Sequence, residues 1–81
     1  MKARVFIRLK SGVLDPQGKA ILSGLQSLGF AGLEDARMGK LIEITFAPGA
    51  TRQEISAAVP PMCEKLLANT VIEEYSFEIV D

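Results

Sequence analysis

The fold is decided by a short stretch near the start of the chain in which charged and apolar side chains alternate: Lys2-Ala3-Arg4-Val5-Phe6-Ile7-Arg8-Leu9-Lys10. Every second residue from Ala3 to Leu9 is apolar, and a period of two with β-branched residues predicts a half-buried strand. Phe6 breaks the pattern on the charged side. Either the neighbouring arginine stems cover it, or it marks a contact surface on the second face of the sheet.

A helix is predicted directly after this strand. Asp15-Pro16 favours a helix start, because Asp is a good N-cap and Pro is favoured at the first helical position. Gly29 is the expected C-terminal stop. The apolar stripe between these two points consists of Ile21, Leu22, Leu25 and Leu28.

Residues 33–47 are expected to form a β-hairpin. The first arm, Leu33 to Met38, is polar and weakly patterned, whereas the second arm alternates clearly through Ile44. Gly39-Lys40 is expected to make the tight turn between the arms.

The second helix is predicted to begin at a capping-box pair, Thr51 and Glu54, whose side chains satisfy backbone N–H groups. Pro60-Pro61 interrupts its apolar spacing, because an internal proline removes a backbone hydrogen bond. We therefore expect two short helical pieces or a kinked helix that ends near Ala68-Asn69. The alternating segment Val71 to Val80 then predicts a last strand.

The order strand, helix, strand, strand, helix, strand predicts an α+β fold, namely a β-α-β-β-α-β ferredoxin-like two-layer sandwich. Its antiparallel sheet would carry both helices on one face, and residues 1–81 would form a single domain. The other face would stay open. Depending on register, that face carries four apolar residues and then favours self-association: Phe6, Leu41, Ile72 and Val80.

The composition argues against several classes of protein. Nine basic and ten acidic residues are interspersed, with a net charge of −1, so the basic face of a nucleic-acid binder is not expected. No run approaches the roughly 20 apolar residues that span a membrane, and charges interrupt the apolar start, so we expect no signal peptide and a cytoplasmic location. With 48% hydrophobic residues in so short a chain, we favour a surface covered by a partner.

The sequence offers little for catalysis or metal binding. It has no His and one Cys, which excludes the usual zinc sites and the commonest general base. Cys63 is expected to be a small buried hydrophobe, because no His can activate it. Arg37 and Lys40 are either an anion site or an ordinary solvated turn, and the second is favoured. The residues alone predict an oligomeric ferredoxin-like domain without catalytic machinery and do not name its function.

Three stretches resemble the PurS family, the small subunit of phosphoribosylformylglycinamidine (FGAM) synthase. They are Lys10-Ser11-Gly12-Val13-Leu14-Asp15-Pro16-Gln17-Gly18, then Ala36-Arg37-Met38-Gly39-Lys40, and then Cys63-Glu64-Lys65-Leu66-Leu67-Ala68-Asn69-Thr70-Val71-Ile72-Glu73-Glu74-Tyr75. The resemblance spans nearly the whole chain. Thr70 stands where the family commonly has Pro, and Pro60-Pro61 departs from the family pattern.

This resemblance implies a subunit of a glutamine-dependent, ATP-consuming ligase of de novo purine biosynthesis. That enzyme converts formylglycinamide ribonucleotide (FGAR) to FGAM. A glutaminase subunit releases ammonia and a large synthetase subunit uses ATP and Mg²⁺. The PurS-like subunit forms homodimers or tetramers, bridges the other two and helps to shield ammonia. It holds no cofactor and no catalytic site of its own.

Seven residues are interface candidates. Asp15, Arg37, Gly39, Lys40 and Asn69 are predicted turn or cap residues that shape partner-facing loops. Phe6 and Tyr75 are predicted contacts on the strands, since aromatic residues are enriched at interface cores. An alternative is a dimeric ferredoxin-like ligand-sensing regulatory domain.

Overall fold

The computed structural model describes all 81 residues and contains three strands and two helices. Their bounds in chain order are β1 Lys2–Leu9, α1 Pro16–Ser27, β2 Gly39–Thr45, α2 Arg52–Met62 and β3 Glu73–Val80. A π-helical turn, Cys63–Leu67, continues α2. The α+β class is thus as predicted, and the last strand begins two residues later than expected.

The sheet places the predicted strand at its centre. The strand order is β2-β1-β3 and both pairings are antiparallel, so that Val5 lies opposite Ile42 on one side and Phe77 on the other. One face of β1 is buried under α2 and the π-helical turn. The fully enclosed core is small and contains Ala3, Val5, Ile7, Ile55, Val59, Cys63 and Ala68.

The second helix begins at its predicted cap. The Glu54 N–H donates to the Thr51 hydroxyl oxygen at 3.1 Å, and that hydroxyl donates to the Glu54 carboxylate at 3.0 Å. The two prolines lie inside α2, and the backbone changes to π-helical geometry at Cys63. The Ala68 N–H closes this turn on the Cys63 carbonyl at 2.9 Å. The predicted interruption at Pro60-Pro61, by two helical pieces or a kink there, is not found, because α2 runs through both prolines; the predicted end near Ala68-Asn69 is confirmed, because helical geometry stops at Leu67.

The predicted hairpin is wrong. Leu33 to Met38 forms no strand, and Gly39-Lys40 begins β2 instead of making a turn. The chain runs without turn or bend from Leu33 to Thr45. Strand β2 is an edge strand that pairs with β1 on one side and with no strand on the other, so residues 33–38 do not pair with it. A strand exists only where its backbone N–H and C=O groups find a neighbouring strand.

The open face of the sheet is charged, contrary to the prediction of an apolar face. Phe6, Leu41 and Val80 lie on it by register, but Ile72 precedes β3. Ion pairs join its three strands: Lys2–Glu43 at 3.3 Å, Arg4–Glu43 at 3.5 Å, Arg4–Glu78 at 3.2 Å and Arg8–Glu74 at 2.7 Å. The Arg4 guanidinium lies 5.7 Å from the centre of the Phe6 ring. Arg4 covers part of the ring, and 39% of Phe6 stays exposed on this face, so Phe6 remains a predicted contact.

Helix α1 projects away from the sheet of its own chain. Only Gly18 of this helix is buried, and no residue of α1 belongs to the core. The molecule measures 50 × 27 × 15 Å with a radius of gyration of 16.1 Å, whereas a compact domain of this length has about 12 Å. We call residues 16–38, which comprise α1 and the chain that returns from it to β2, the arm.

Neither helix has the length and apolar character that crossing a membrane requires.

Candidate functional site

Five of the seven predicted interface residues meet where the arm joins the sheet. This junction comprises Asp15, Arg37, Gly39, Lys40 and Asn69, together with Glu73. It lies at the end of β1 and at the starts of β2 and β3. The chain passes through it three times, so contacts made there set the angle between arm and sheet.

Asp15 holds the start of α1 and the end of the returning chain together at the junction. As the N-cap of α1 its Oδ1 accepts from the Gly18 N–H, while Oδ2 accepts from the Met38 N–H, both at 2.8 Å. The residue is 5% exposed. These two backbone donors, with a smaller contribution from Arg37, hold the pKa of the carboxyl below its ordinary value. Asp15 is therefore both a helix cap, as predicted, and a clamp between distant parts of the chain.

Arg37 and Gly39 complete the clamp. Arg37 Nη2 donates to the carbonyls of Leu9 and Lys10 at 3.0 and 3.1 Å, and its Nε lies 3.8 Å from Asp15 Oδ2. A Cβ at Gly39 would lie 2.6 Å from the Ile7 carbonyl oxygen. Only glycine therefore allows β2 to approach β1 so closely at its first residue.

At the edge of the sheet opposite β2, Glu73 links the start of β3 to the junction. Its carboxylate accepts from the Asn69 N–H at 2.7 Å and pairs with Lys40 Nζ at 3.4 Å. The Asn69 bond, followed by Lys40, lowers the pKa of Glu73. The Asn69 side-chain oxygen accepts from the Val71 N–H at 3.2 Å, which is the short-range bond typical of a turn-forming Asn. Asn69 follows the helix end, as expected.

Phe6 and Tyr75 lie on opposite faces of the sheet. Tyr75 is opposite Ile7 and packs against the core, half-buried. Desolvation raises the pKa of its hydroxyl, and Glu64 and Cys63 add to that shift. Phe6 lies on the charged face and is 39% exposed. A groove of about 500 Å³ at this end of the sheet is bordered by both, and by Arg37, Gly39 and Lys40.

Most side-chain contacts at the junction are bonds to backbone groups, which fix the positions of chain segments. The junction's two cations are engaged within the chain, Arg37 by the carbonyls of Leu9 and Lys10 and Lys40 by the Glu73 carboxylate. Cys63 is fully buried, and burial, followed by the charge of Glu64, raises the pKa of its thiol. No group of three or more potential metal ligands comes together.

Sequence reasoning missed the apolar surface of the arm. Large apolar side chains are exposed along it: Leu14 at its base, Ile21 on α1, Leu28 at the C-cap of α1, and Phe30 and Leu33 on the returning chain. Leu28 and Phe30 are 77% and 58% exposed. The apolar stripe of α1 was identified in the sequence, but the helix was expected to pack on the sheet of the same chain.

Comparison with known proteins gives one consistent result. The family model described as PurS, phosphoribosylformylglycinamidine (FGAM) synthase, matches residues 2–81. The chain is 44% identical to the phosphoribosylformylglycinamidine synthase subunit PurS of Bacillus subtilis, over 96% of this chain and 90% of that one. The corresponding subunit of Synechocystis is 49% identical over 94% of this chain and 75% of its own.

Solved structures agree over almost the whole length. A chain in the structure of PurLQS from Thermotoga maritima superposes with a TM-score of 0.83 at 29% identity, covering 98% of this chain and 95% of that one. The Methanocaldococcus jannaschii PurS structure, described as one of the subunits of formylglycinamide ribonucleotide amidotransferase, gives a TM-score of 0.82 at 38% identity, over 99% and 98%.

Proposed function

The chain belongs to the PurS family of FGAM synthase subunits, and from this premise we propose that it is the assembly subunit that joins a glutaminase subunit to a large ATP-dependent synthetase subunit. The observation that carries the proposal is the match of residues 2–81 to one family model. The PurLQS structure, in which a closely similar chain occurs, supports an assembly of three kinds of subunit.

The reaction proposed for the assembly is the conversion of FGAR to FGAM. The glutaminase would hydrolyse the side-chain amide of glutamine to glutamate and ammonia. The synthetase would transfer the terminal phosphoryl group of ATP to the amide oxygen of FGAR, and ammonia would then displace phosphate to leave the amidine. ATP, Mg²⁺ and glutamine would be used by the partners, and this chain would hold no cofactor.

A subunit without reacting groups still contributes to such chemistry. Ammonia released into bulk water is protonated and lost as a nucleophile, so a joint that excludes water has chemical value. We propose that this chain acts as a single domain in a homodimer or tetramer, in the cytoplasm, and that its two-fold repetition presents equivalent faces to the partners. Phe6, Tyr75 and the junction residues remain the candidates for those contacts.

The alternative of a ligand-sensing regulatory domain is not favoured, because the relatives and solved structures described above are all PurS proteins.

Reconstitution tests the proposal. The glutaminase and synthetase from the same organism are mixed with and without this chain, in the presence of glutamine, Mg²⁺ and ADP, and analysed on a sizing column. We expect one complex that contains all three chains, and two separate peaks without this chain. Separate elution in both cases would contradict the assembly role.

A second readout separates assembly from catalysis. FGAM formation is measured with glutamine and, separately, with a high concentration of ammonium as the nitrogen source. Omission of this chain should abolish the glutamine-dependent rate and leave the ammonium-dependent rate largely intact. An unchanged glutamine-dependent rate would show that the chain is dispensable for transfer between the two active sites.

A further inference from the structure

We propose that the groove lined by Phe6, Met38 and Leu41 is a docking site for a segment of a catalytic subunit, in which a large apolar side chain stands next to a carboxylate. This inference rests on the proposed function and deepens it, because it names one contact surface and the chemistry of what binds there. Its basis is an exposed apolar floor bordered by arginines that have unused donors.

The groove lies at the junction end of the sheet, on the face that carries no helix. On β1 it includes Phe6 and Arg8, which point to the same face because side chains alternate along a strand. Phe6 lies opposite Leu41 of β2, and Arg8 lies opposite Gly39. Gly39 has no side chain, so nothing fills the sheet surface beside Leu41, and a groove of about 500 Å³ results.

The floor of the groove is apolar and partly uncovered. Phe6 is 39% exposed, Leu41 49% and Met38 43%. Elsewhere on this face ion pairs join the strands. An apolar island surrounded by charges has the composition of an interface core with its polar rim.

The arginines of the groove have donors that no group of this chain takes up. A guanidinium has five N–H groups. Arg8 uses Nε for Glu74 at 2.7 Å, and Arg37 uses Nη2 for the carbonyls of Leu9 and Lys10. The terminal nitrogens of Arg8 and Nη1 of Arg37 are therefore available to a ligand, and the Arg8 side chain is 69% exposed.

The charged residues around the groove favour an anionic occupant, although each cation already has a partner in this chain. Glu74 is the one acid among the lining residues, which include Arg8, Arg37 and Lys40. Asp15, which lies 3.8 Å from Arg37, is 5% exposed, and its two oxygens accept backbone N–H groups. A carboxylate that enters the groove thus meets donors, and charge complementarity selects it over a cation.

A protein segment fits the groove better than a small molecule or a second copy of this chain. Sites for small molecules enclose most of the ligand surface, whereas this groove lies on an open sheet face. A second copy docked groove to groove about a two-fold axis would set Arg8 against Arg8, and such like-charge contacts oppose association. A segment of another subunit covers the floor with its apolar side chain and binds the guanidinium groups with its carboxylate.

The first test measures the binding of this chain to the purified glutaminase and, separately, to the purified synthetase. Leu41→Thr removes apolar surface and keeps strand propensity. Its matched control is Val80→Thr, on the same face outside the groove. Arg8→Gln removes the proposed partner of the carboxylate, and its matched control is Lys2→Gln, a cation of that face paired with Glu43.

We expect Leu41→Thr and Arg8→Gln each to raise the Kd for one of the two subunits about 10-fold or more, as truncation of an anchoring side chain does. The two controls should stay within about 2-fold of the wild type. The difference between wild type and Arg8→Gln should shrink at high salt, because salt screens an exposed charge. Unchanged binding of both groove variants to both subunits would overturn the proposal.

The second test locates the occupant in the assembled complex. A photo-crosslinking phenylalanine analogue replaces Leu41, and the complex is irradiated. Mass spectrometry should find the adduct on a segment of one catalytic subunit that has Asp or Glu beside a large apolar residue. Adducts on a second copy of this chain, or on a segment without an acid, would overturn the proposal.

The docking site and the proposed function fail in different ways. A wild-type chain that elutes with both partner subunits, while the two groove variants bind as tightly, would retain the assembly role with another contact surface. A wild-type chain that binds neither subunit would overturn both.

Discussion

Gly18→Ala tests whether the arm is clamped at its base as the structure describes. Alanine normally stabilises a helix by about 1 kcal/mol relative to glycine, so propensity alone predicts a gain. At this position, however, the added Cβ would collide with the Ala36 carbonyl oxygen and lie 2.8 Å from Asp15 Oδ2. Neither atom can move freely, because one is backbone and the other belongs to a carboxylate whose two oxygens each accept from a backbone N–H.

The expected sign of the effect follows from these two terms. Overpacking costs about 1–3 kcal/mol, and after the gain in propensity a net loss of up to about 2 kcal/mol remains. For a chain of this size that loss lowers the Tm by up to about 15 °C. The matched control is Ser23→Ala on the exposed side of the same helix, where propensity alone acts and the Tm rises by about 2–4 °C.

Calorimetry at one fixed protein concentration measures both variants, because self-association makes the Tm depend on concentration. A Gly18→Ala protein that melts at or above the temperature of Ser23→Ala would refute the close approach of α1 to the returning chain. It would also remove the reason for a fixed arm direction.

Three further predictions concern titratable groups. The hydrogen bonds from Met38 and Gly18 place the native pKa of Asp15 below its ordinary value of 3.8. Its stabilising effect is therefore complete above about pH 4 and lost as the pH falls through the native pKa. The difference in urea midpoint between wild type and Asp15→Asn should shrink below that pH, and a constant difference would contradict the assignment. Tyr75, the single tyrosine, should titrate above 10 by absorbance in the native chain and near 10 after unfolding. Cys63 should react with a thiol reagent only as fast as the protein opens, and immediate stoichiometric labelling would show that it is not buried.

Local signals predicted the elements whose partners lie in the same chain. The alternation from Ala3 to Leu9 gave β1 because both neighbouring strands and α2 are supplied by the same polypeptide. The caps at Asp15 and Thr51 were equally predictable, since each is satisfied by a backbone N–H three residues away.

The clamp at the junction was only partly predictable. Sequence reasoning selected Asp15, Arg37 and Gly39 as turn or cap residues, but their contacts reach residues 23 to 32 positions away. A cap motif predicts the bond from the carboxylate to its own helix, here the bond from the Gly18 N–H. It does not predict what the second carboxylate oxygen accepts, here the Met38 N–H.

The failed prediction of a hairpin shows what a local pattern leaves open. The segment Leu33–Met38 is polar and weakly patterned, and a strand was predicted there because a clear strand and a plausible turn follow it. In the structure Gly39 and Lys40 belong to β2 itself, so no turn separates the two segments and Leu33–Met38 cannot fold back beside β2. A sequence specifies that a segment is able to pair, and the path of the backbone decides whether a partner strand is within reach.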